Sequence, residues 1–188
     1  MKSALILIDI QNDYFPGGAM ELVGMTQAAA QARELLAASR AARRPIFHVQ
    51  HLALGPGATF FRPDTPGVEI HASLRPLPGE ALVRKHYPNA FRDTGLLEVL
   101  QGAGVDAVII AGAMSHMCID ATTRAAFDYG FTCTVIHDAC ASRDVVFAGR
   151  TIPAAQVHGA FMAALGMRYA RVMPLKEFLS GLHVMTKT

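Results

Sequence analysis

The stretch Asp106–Ala126 most constrains what this chain can fold into. Val108 to Ala111 is a short apolar, β-branched run, the pattern of a strand buried on both faces. Gly112 and the small residues after it break the run. From about Ser115, the spacing of Met117, Ala121, Arg124, Ala125 and Asp128 predicts a helix. Cys118 then falls in the first turn of a helix leaving the carboxyl end of a central strand. Backbone N–H groups there have no intrahelical partner, and the helix dipole favours negative charge. A thiol so placed is expected to ionise more easily than a free one, and the same N–H groups can hold an oxyanion. Cysteine in that position is also an ordinary small core residue, and position alone leaves both readings open.

Further elements place this unit in a larger sheet. Ala4 to Ile8 is a second doubly buried strand, and it ends on Asp9. A carboxylate directly after five apolar residues is costly to bury without a partner, although Asp also caps turns. Gln11 to Gly18 is a loop, with Pro16, Gly17 and Gly18 as breakers. Thr26 to Arg44 is an amphipathic helix with Thr26 as its expected N-cap and Pro45 at its end. Ile46 to Gln50 is the next strand, so a strand, a helix and a strand form a βαβ unit with parallel pairing.

Leu54 to Glu80 carries Gly55-Pro56-Gly57, Pro63, Pro66-Gly67, Pro76 and Pro78-Gly79. It reads as a long irregular segment in which Phe60 and Phe61 cover a pocket or a partner. Ala81 to Arg84 is a short strand with Lys85 just past its end, where a solvated lysine is the ordinary case. Thr94 caps a helix from Gly95 to Leu100. Phe131 to Ile136 is a strand ending in His137-Asp138, and Pro153 to Leu165 is a helix. Tyr169 to Val172 is a last strand, Leu175 to Leu182 a last helix, and the final few residues are expected to fray. Alternating strands and helices without a linker give one domain over 1–188. The fold class is α/β, a doubly wound, mostly parallel sheet with helices on both faces.

Composition excludes several classes. Seventeen Lys and Arg against fifteen Asp and Glu give a net charge of +2, and the basic residues are scattered, so nucleic acid is not an expected partner. No apolar run approaches membrane-spanning length. Three cysteines, Cys118, Cys133 and Cys140, form no disulfide pattern and fit a reducing cytoplasm. His48 and His51 lack further well-spaced ligands and read as core or pocket residues, so no metal and no cofactor is expected.

In an open parallel sheet, sites form outside the carboxyl ends of the strands. Asp9, Lys85 and Cys118 all map there, on three different strands. Leu7 to Phe15 with its D-x-Q-x-D opening, Arg84-Lys85 with Asn89-Ala90-Phe91, and Gly112 to Cys118 together resemble the isochorismatase-like cysteine hydrolases. Those include nicotinamidases and N-carbamoylsarcosine amidases. Arg124-Ala125-Ala126, Tyr129-Gly130 and Asp138-Ala139 continue the resemblance, which spans about residues 4 to 172.

The resemblance implies an Rossmann-like three-layer fold and a catalytic triad of Asp9, Lys85 and Cys118. It also implies a cis peptide at Ala113–Met114 and an oxyanion hole from the N–H groups of Met114 and Cys118. Nicotinamidases carry an Asp-x-His metal cluster where this chain has Val49-Gln50-His51, which disfavours a metal-assisted nicotinamidase. Vinyl-ether isochorismatases often lack the cysteine kept here, so C–N hydrolysis is favoured. A vinyl ether hydrolase and a catalytically silent binding or scaffold protein are the alternatives. Tyr14, Phe15, His51, His86, Phe91, His116 and Met117 are the substrate-pocket candidates, each equally readable as packing. A small molecule is the expected substrate. The Ala-rich helices and the Phe60-Phe61 segment further predict a homo-oligomer.

Overall fold

Leu5 and Leu7 face one apolar cluster while Ala4, Ile6 and Ile8 face another, so the first strand is covered on both sides. A continuous apolar run behaves this way when helices pack on both faces of a parallel sheet. The computed structural model describes residues 1–185. The frayed end expected for the last few residues lies outside them. In chain order the strands are β1 (Ser3–Ile8), β2 (Ile46–His51), β3 (Ala81–Lys85), β4 (Ala107–Ala113), β5 (Thr132–Ala141), β6 (Val145–Phe147), β7 (Arg150–Ile152) and β8 (Arg171–Met173).

Six of them form one parallel sheet in the order β3-β2-β1-β4-β5-β8, and β6 and β7 make a separate antiparallel hairpin. Helices α1 (Met25–Ala41) and α5 (Leu175–Met185) cover one face. Helices α2 (Leu96–Gly102), α3 (Asp120–Asp128) and α4 (Ala154–Arg168) cover the other. Strand order runs outward in both directions from β1 and β4. Their carboxyl ends therefore form the crevice where doubly wound sheets bind ligands.

Several boundaries differ from the sequence reading, each for a local reason. Helix α1 starts at Met25, with Gly24 as N-cap at φ 74° in place of Thr26, and it ends at Ala41. Thr94 does accept the Leu96 N–H at 3.3 Å, but the residue before α2 is Gly95. Lys85 is the last residue of β3, not the first beyond it. Gly112 lies inside β4 and does not end it. A register shift between Ile110 and Gly112 against β5 absorbs its unusual backbone.

Strand β5 continues through His137 and Asp138 to Ala141. The β6–β7 hairpin went unforeseen because its strands are three residues each. Helix α4 begins after Pro153 and runs to Arg168, β8 is Arg171–Met173, and α5 extends to Met185. The 54–80 segment is irregular apart from short 3₁₀ turns at Pro66–Val68 and Ala72–Leu74. It folds onto its own chain. Phe61 is fully buried, 4.5 Å from the Tyr14 ring, and Phe60 is partly buried.

One polar cluster ties that segment to α1 and β2. Glu80 accepts from Arg40 Nε at 2.6 Å and Nη2 at 2.9 Å, from Leu77 N–H at 2.9 Å, and contacts His48 Nε2 at 2.8 Å. The Arg40 hydrogen bond is the largest cause of a Glu80 pKa pulled down to about 2; burial opposes it, and Leu77 and His48 add to the lowering. A carboxyl depressed from the ordinary 4.5 stabilises the fold fully above that value and loses the contribution as pH falls towards 2. Glu80→Gln is expected to cost about 1–3 kcal/mol at pH 7. In urea melts at a series of pH values, the gap between the two proteins should close between pH 4.5 and 2. A gap independent of pH would show that the charge of Glu80 is not what stabilises.

Candidate active site

Three strand ends converge on one ammonium. Ile8 of β1 lies opposite Gly112 of β4 and Val49 of β2, and His51 at the end of β2 lies opposite Lys85 of β3. The long Lys85 stem crosses the end of β2. Its Nζ sits 2.7 Å from Asp9 Oδ2, 2.8 Å from His51 Nδ1 and 3.3 Å from Cys118 Sγ. Asp9 and Lys85 are fully buried, and Cys118 is 5% exposed. Asp9 itself has φ 52°, the left-handed region that a non-glycine residue occupies only where the surroundings demand it. Its second oxygen, Oδ1, is buried and has no hydrogen-bond partner among the described residues.

Cys118 lies in a π-helical turn, Ser115–Ile119, that runs into α3. Such single turns recur at functional sites because they re-aim one side chain without ending the helix. The Ala113–Met114 peptide before it is cis, at the bond the resemblance indicates. Ser115 Oγ donates to Ala141 O at 3.0 Å and meets His158 Nδ1 at 2.8 Å, which ties the turn to β5 and α4.

Electrostatics correct one expectation. Burial above all, then the Asp9 carboxylate, push the Cys118 thiol above its ordinary value, and the Lys85 charge only partly opposes them. The thiol is therefore protonated at rest. Lys85 keeps its charge: burial works against the ammonium, but Asp9 and Cys118 outweigh it and leave its pKa raised. Cys133 and Cys140 are also buried thiols, pushed up to about 12 by burial above all, with Asp138 adding to the rise at Cys140.

The polar residues of the opening motif divide the work of holding this arrangement. Gln11 Oε1 accepts the His51 N–H at 2.8 Å, and its Nε2 donates to His51 O at 2.9 Å and Val68 O at 2.7 Å. Asp13 Oδ2 accepts the Phe61 N–H at 2.6 Å. A Cβ at Gly67 would meet the Asp13 carboxylate at 2.0 Å, so only glycine lets the irregular segment approach so closely. The sequence reading used Gln11 and Asp13 as motif markers and missed this clamping role.

The other pocket candidates separate. Tyr14 is buried, and its hydroxyl pKa is raised well above its ordinary value by burial first and then by its neighbours Cys118 and Asp9, so it borders the cluster. His86 is exposed, with Nδ1 2.9 Å from Leu52 O. His116 Nδ1 lies 2.8 Å from Ser142 Oγ, and Met117 is 41% exposed at the rim. Phe15 stacks on His71 at 3.7 Å, and Phe91 packs against Tyr129 and Phe131. Arg143 escaped the sequence reading: its charge reaches both Tyr14 and His116, from a position with no motif around it. Ligand atoms of Asp9, His51 and Cys118 all lie within 4.8 Å of one another, a donor set that suits a divalent cation. The Lys85 ammonium touches all three, so a metal there would have to share or displace it.

A parallel α/β sheet with a thiol, an ammonium and a carboxylate gathered at its switch point defines a hydrolase-type architecture. Residues 3–164 match the isochorismatase domain, and the chain belongs to the isochorismatase family of hydrolases. It is 49% identical over 179 residues to the uncharacterised isochorismatase family protein YddQ of Bacillus subtilis, covering 95% of this chain and 99% of that one. The crystal structure of an isochorismatase hydrolase from Oleispira antarctica superposes with a TM-score of 0.92 at 49% identity, over 95% of this chain and 96% of that chain. A maleamate amidohydrolase of Pseudomonas putida is 30% identical over 156 residues, 76% of this chain and 73% of its own length.

Proposed function

We propose that the chain is a cysteine-dependent hydrolase of a small, non-peptide C–N bond, an amide or related acyl compound, acting through a thioester on Cys118. One observation carries this reading: the Lys85 ammonium bridges Asp9 and Cys118, while the second Asp9 oxygen is buried and, among the described residues, has no donor held to it. A buried carboxylate oxygen left unpaired is costly, and here it is the atom able to receive the thiol proton. The S–H bond breaks as the Sγ–C bond forms, and the proton moves to Asp9. Lys85 keeps its three protons and offsets the negative charge that passes from Asp9 to sulfur.

The N–H groups of Met114 and Cys118 hold the oxyanion of the tetrahedral intermediate. Asp9 returns the proton to the leaving nitrogen as the C–N bond breaks. Water then adds to the thioester, and its proton restores the thiol. The relationship to a maleamate amidohydrolase supports the choice of a C–N bond. Because the thiol is protonated at rest, Cys118 alkylation by iodoacetamide should accelerate as pH rises above neutrality. Peptide mass spectrometry should find Cys118 labelled well before Cys133 or Cys140; equal labelling of the three would count heavily against the reading. A screen of small amides, carbamoyl compounds and vinyl ethers then identifies the bond.

The reading includes one domain working on a small molecule in a reducing cytoplasm, which three free cysteines support. Among the described residues no helix is long and apolar enough to cross a membrane. Assembly into a homo-oligomer is part of it too. Phe61, offered by sequence as interface surface, is buried, so the support comes from elsewhere. Val146 and Phe147 on the β6–β7 hairpin and Met167 on α4 are 72%, 75% and 87% exposed. A two-stranded hairpin is marginal by itself, and a second copy would cover it. Light scattering at micromolar concentration should give a multiple of 20.1 kDa; the monomer mass would end this part.

A further inference from the structure

The Asp9–Lys85–Cys118 arrangement has a fourth member that the proposed chemistry does not use. An ammonium carries three N–H donors and no acceptor. Lys85 is fully buried, and three acceptors surround it: Asp9 Oδ2 at 2.7 Å, His51 Nδ1 at 2.8 Å and Cys118 Sγ at 3.3 Å. The count closes only if His51 accepts one of the three hydrogen bonds. A buried ammonium with one N–H unmet is expensive, and it would turn to find a substitute acceptor.

The His51 backbone is anchored at the end of β2, beside the site. Gln11 grips its backbone on both sides, at 2.8 Å to the N–H and 2.9 Å from the carbonyl, and its ring lies 5.9 Å from that of Phe61. The charged and titratable groups around the ring are Lys85, Asp9 and His86, with Cys118 Sγ also close. Because Lys85 can only donate, the His51 nitrogen facing it must present a lone pair, and the proton must sit on Nε2. An imidazolium would set two donors against each other at 2.8 Å. Burial first, then the Lys85 charge, accordingly pull the His51 pKa down to about 4.

We propose that His51 is a positioning residue for Lys85: its Nδ1 accepts a hydrogen bond from the third ammonium N–H and thereby aims the other two at Asp9 and Cys118. The ring stays neutral and keeps its proton on Nε2 throughout; no bond to it forms or breaks. This assignment rests on the proposed role of Cys118 as nucleophile, and it deepens that role by saying what holds the stabilising charge in line with sulfur.

Two measurements test it on the intact protein. Ring ¹⁵N NMR, with the His51 signals assigned by their loss in His51→Gln, should show a neutral Nε2–H tautomer between pH 5.5 and 8. An Nδ1–H tautomer or an imidazolium in that range overturns the proposal. The second is the pH profile of iodoacetamide alkylation at Cys118. His51→Leu removes the acceptor at similar size, and the alkylation rate at pH 8 should fall on the order of tenfold, about one pH unit in the profile. His51→Gln offers an amide oxygen to Lys85 and should recover most of that rate.

A role confined to packing would leave the profile of a folded His51→Leu where the wild type has it, and that result sinks the proposal. If His51→Leu does not fold, the wild-type tautomer and the His51→Gln profile decide. Selective labelling of wild-type Cys118 is read in the same experiment, so failure of the nucleophile assignment is distinguished from failure of the His51 assignment.

Discussion

Replacing Cys118 by alanine is expected to reduce turnover of any amide substrate by at least about 10⁴-fold, because removing a covalent nucleophile disables the other members of its group with it. The substitution is the cleanest available in this cluster. It deletes one sulfur and leaves the Asp9–Lys85 ion pair intact, so the stability cost should be about 1–2 kcal/mol. Asp9→Asn and Lys85→Met would each strand an uncompensated buried charge, and breaking a buried pair costs roughly 3–5 kcal/mol. Their activity losses would be hard to separate from unfolding. Turnover by purified Cys118→Ala within tenfold of wild type, on a substrate found by screening, would rule out the thioester route. Thermal melts of both proteins confirm that folded enzymes are being compared.

How much of this was legible in sequence depended on what each residue's environment allows. The apolar run of β1 announces a strand covered on both faces, because it is short and rich in isoleucine, and the structure places it at the sheet's centre. Asp9, Lys85 and Cys118 were each ambiguous alone. Their common position at strand ends was inferable, and the structure brings Asp9 and Cys118 both within hydrogen-bond reach of the Lys85 nitrogen. The state of the thiol was not inferable. A first-turn position argues for easy ionisation, but burial and the adjacent carboxylate raise the pKa, and neither is visible in local spacing.

His51 was readable as a pocket residue, whereas its contact with Lys85 depends on the β2–β3 register. Arg143 reaches the site from the chain just after β5 and carries no motif. Gln11 and Asp13 stood out in the motif, yet their partners lie in an irregular segment that no periodicity describes.

Gly112→Ala is expected to produce the largest loss of stability of any single methyl added to this chain, about 3–5 kcal/mol or outright failure to fold. Two separate penalties combine. The residue has φ 130°, a conformation that L side chains rarely adopt, and a Cβ built there would lie 2.0 Å from the carbonyl oxygen of Ile8 and 2.8 Å from its nitrogen. Both atoms belong to the backbone of the central strand, so no rotamer change relieves the contact. Gly102→Ala is the matched control. It lies in α2 with nothing within 4 Å of the new methyl, and it should leave stability unchanged or raise it by a few tenths of a kcal/mol. Urea denaturation of the three proteins checks the contrast; a Gly112→Ala midpoint close to wild type would show that β1 and β4 can separate. Sequence alone marks Gly112 as a strand breaker, but its smallness is what lets β4 lie against Ile8, the residue before Asp9. Displacing Ile8 also displaces the Asp9 carboxylate from Lys85, so a variant that survives folding should still lose activity.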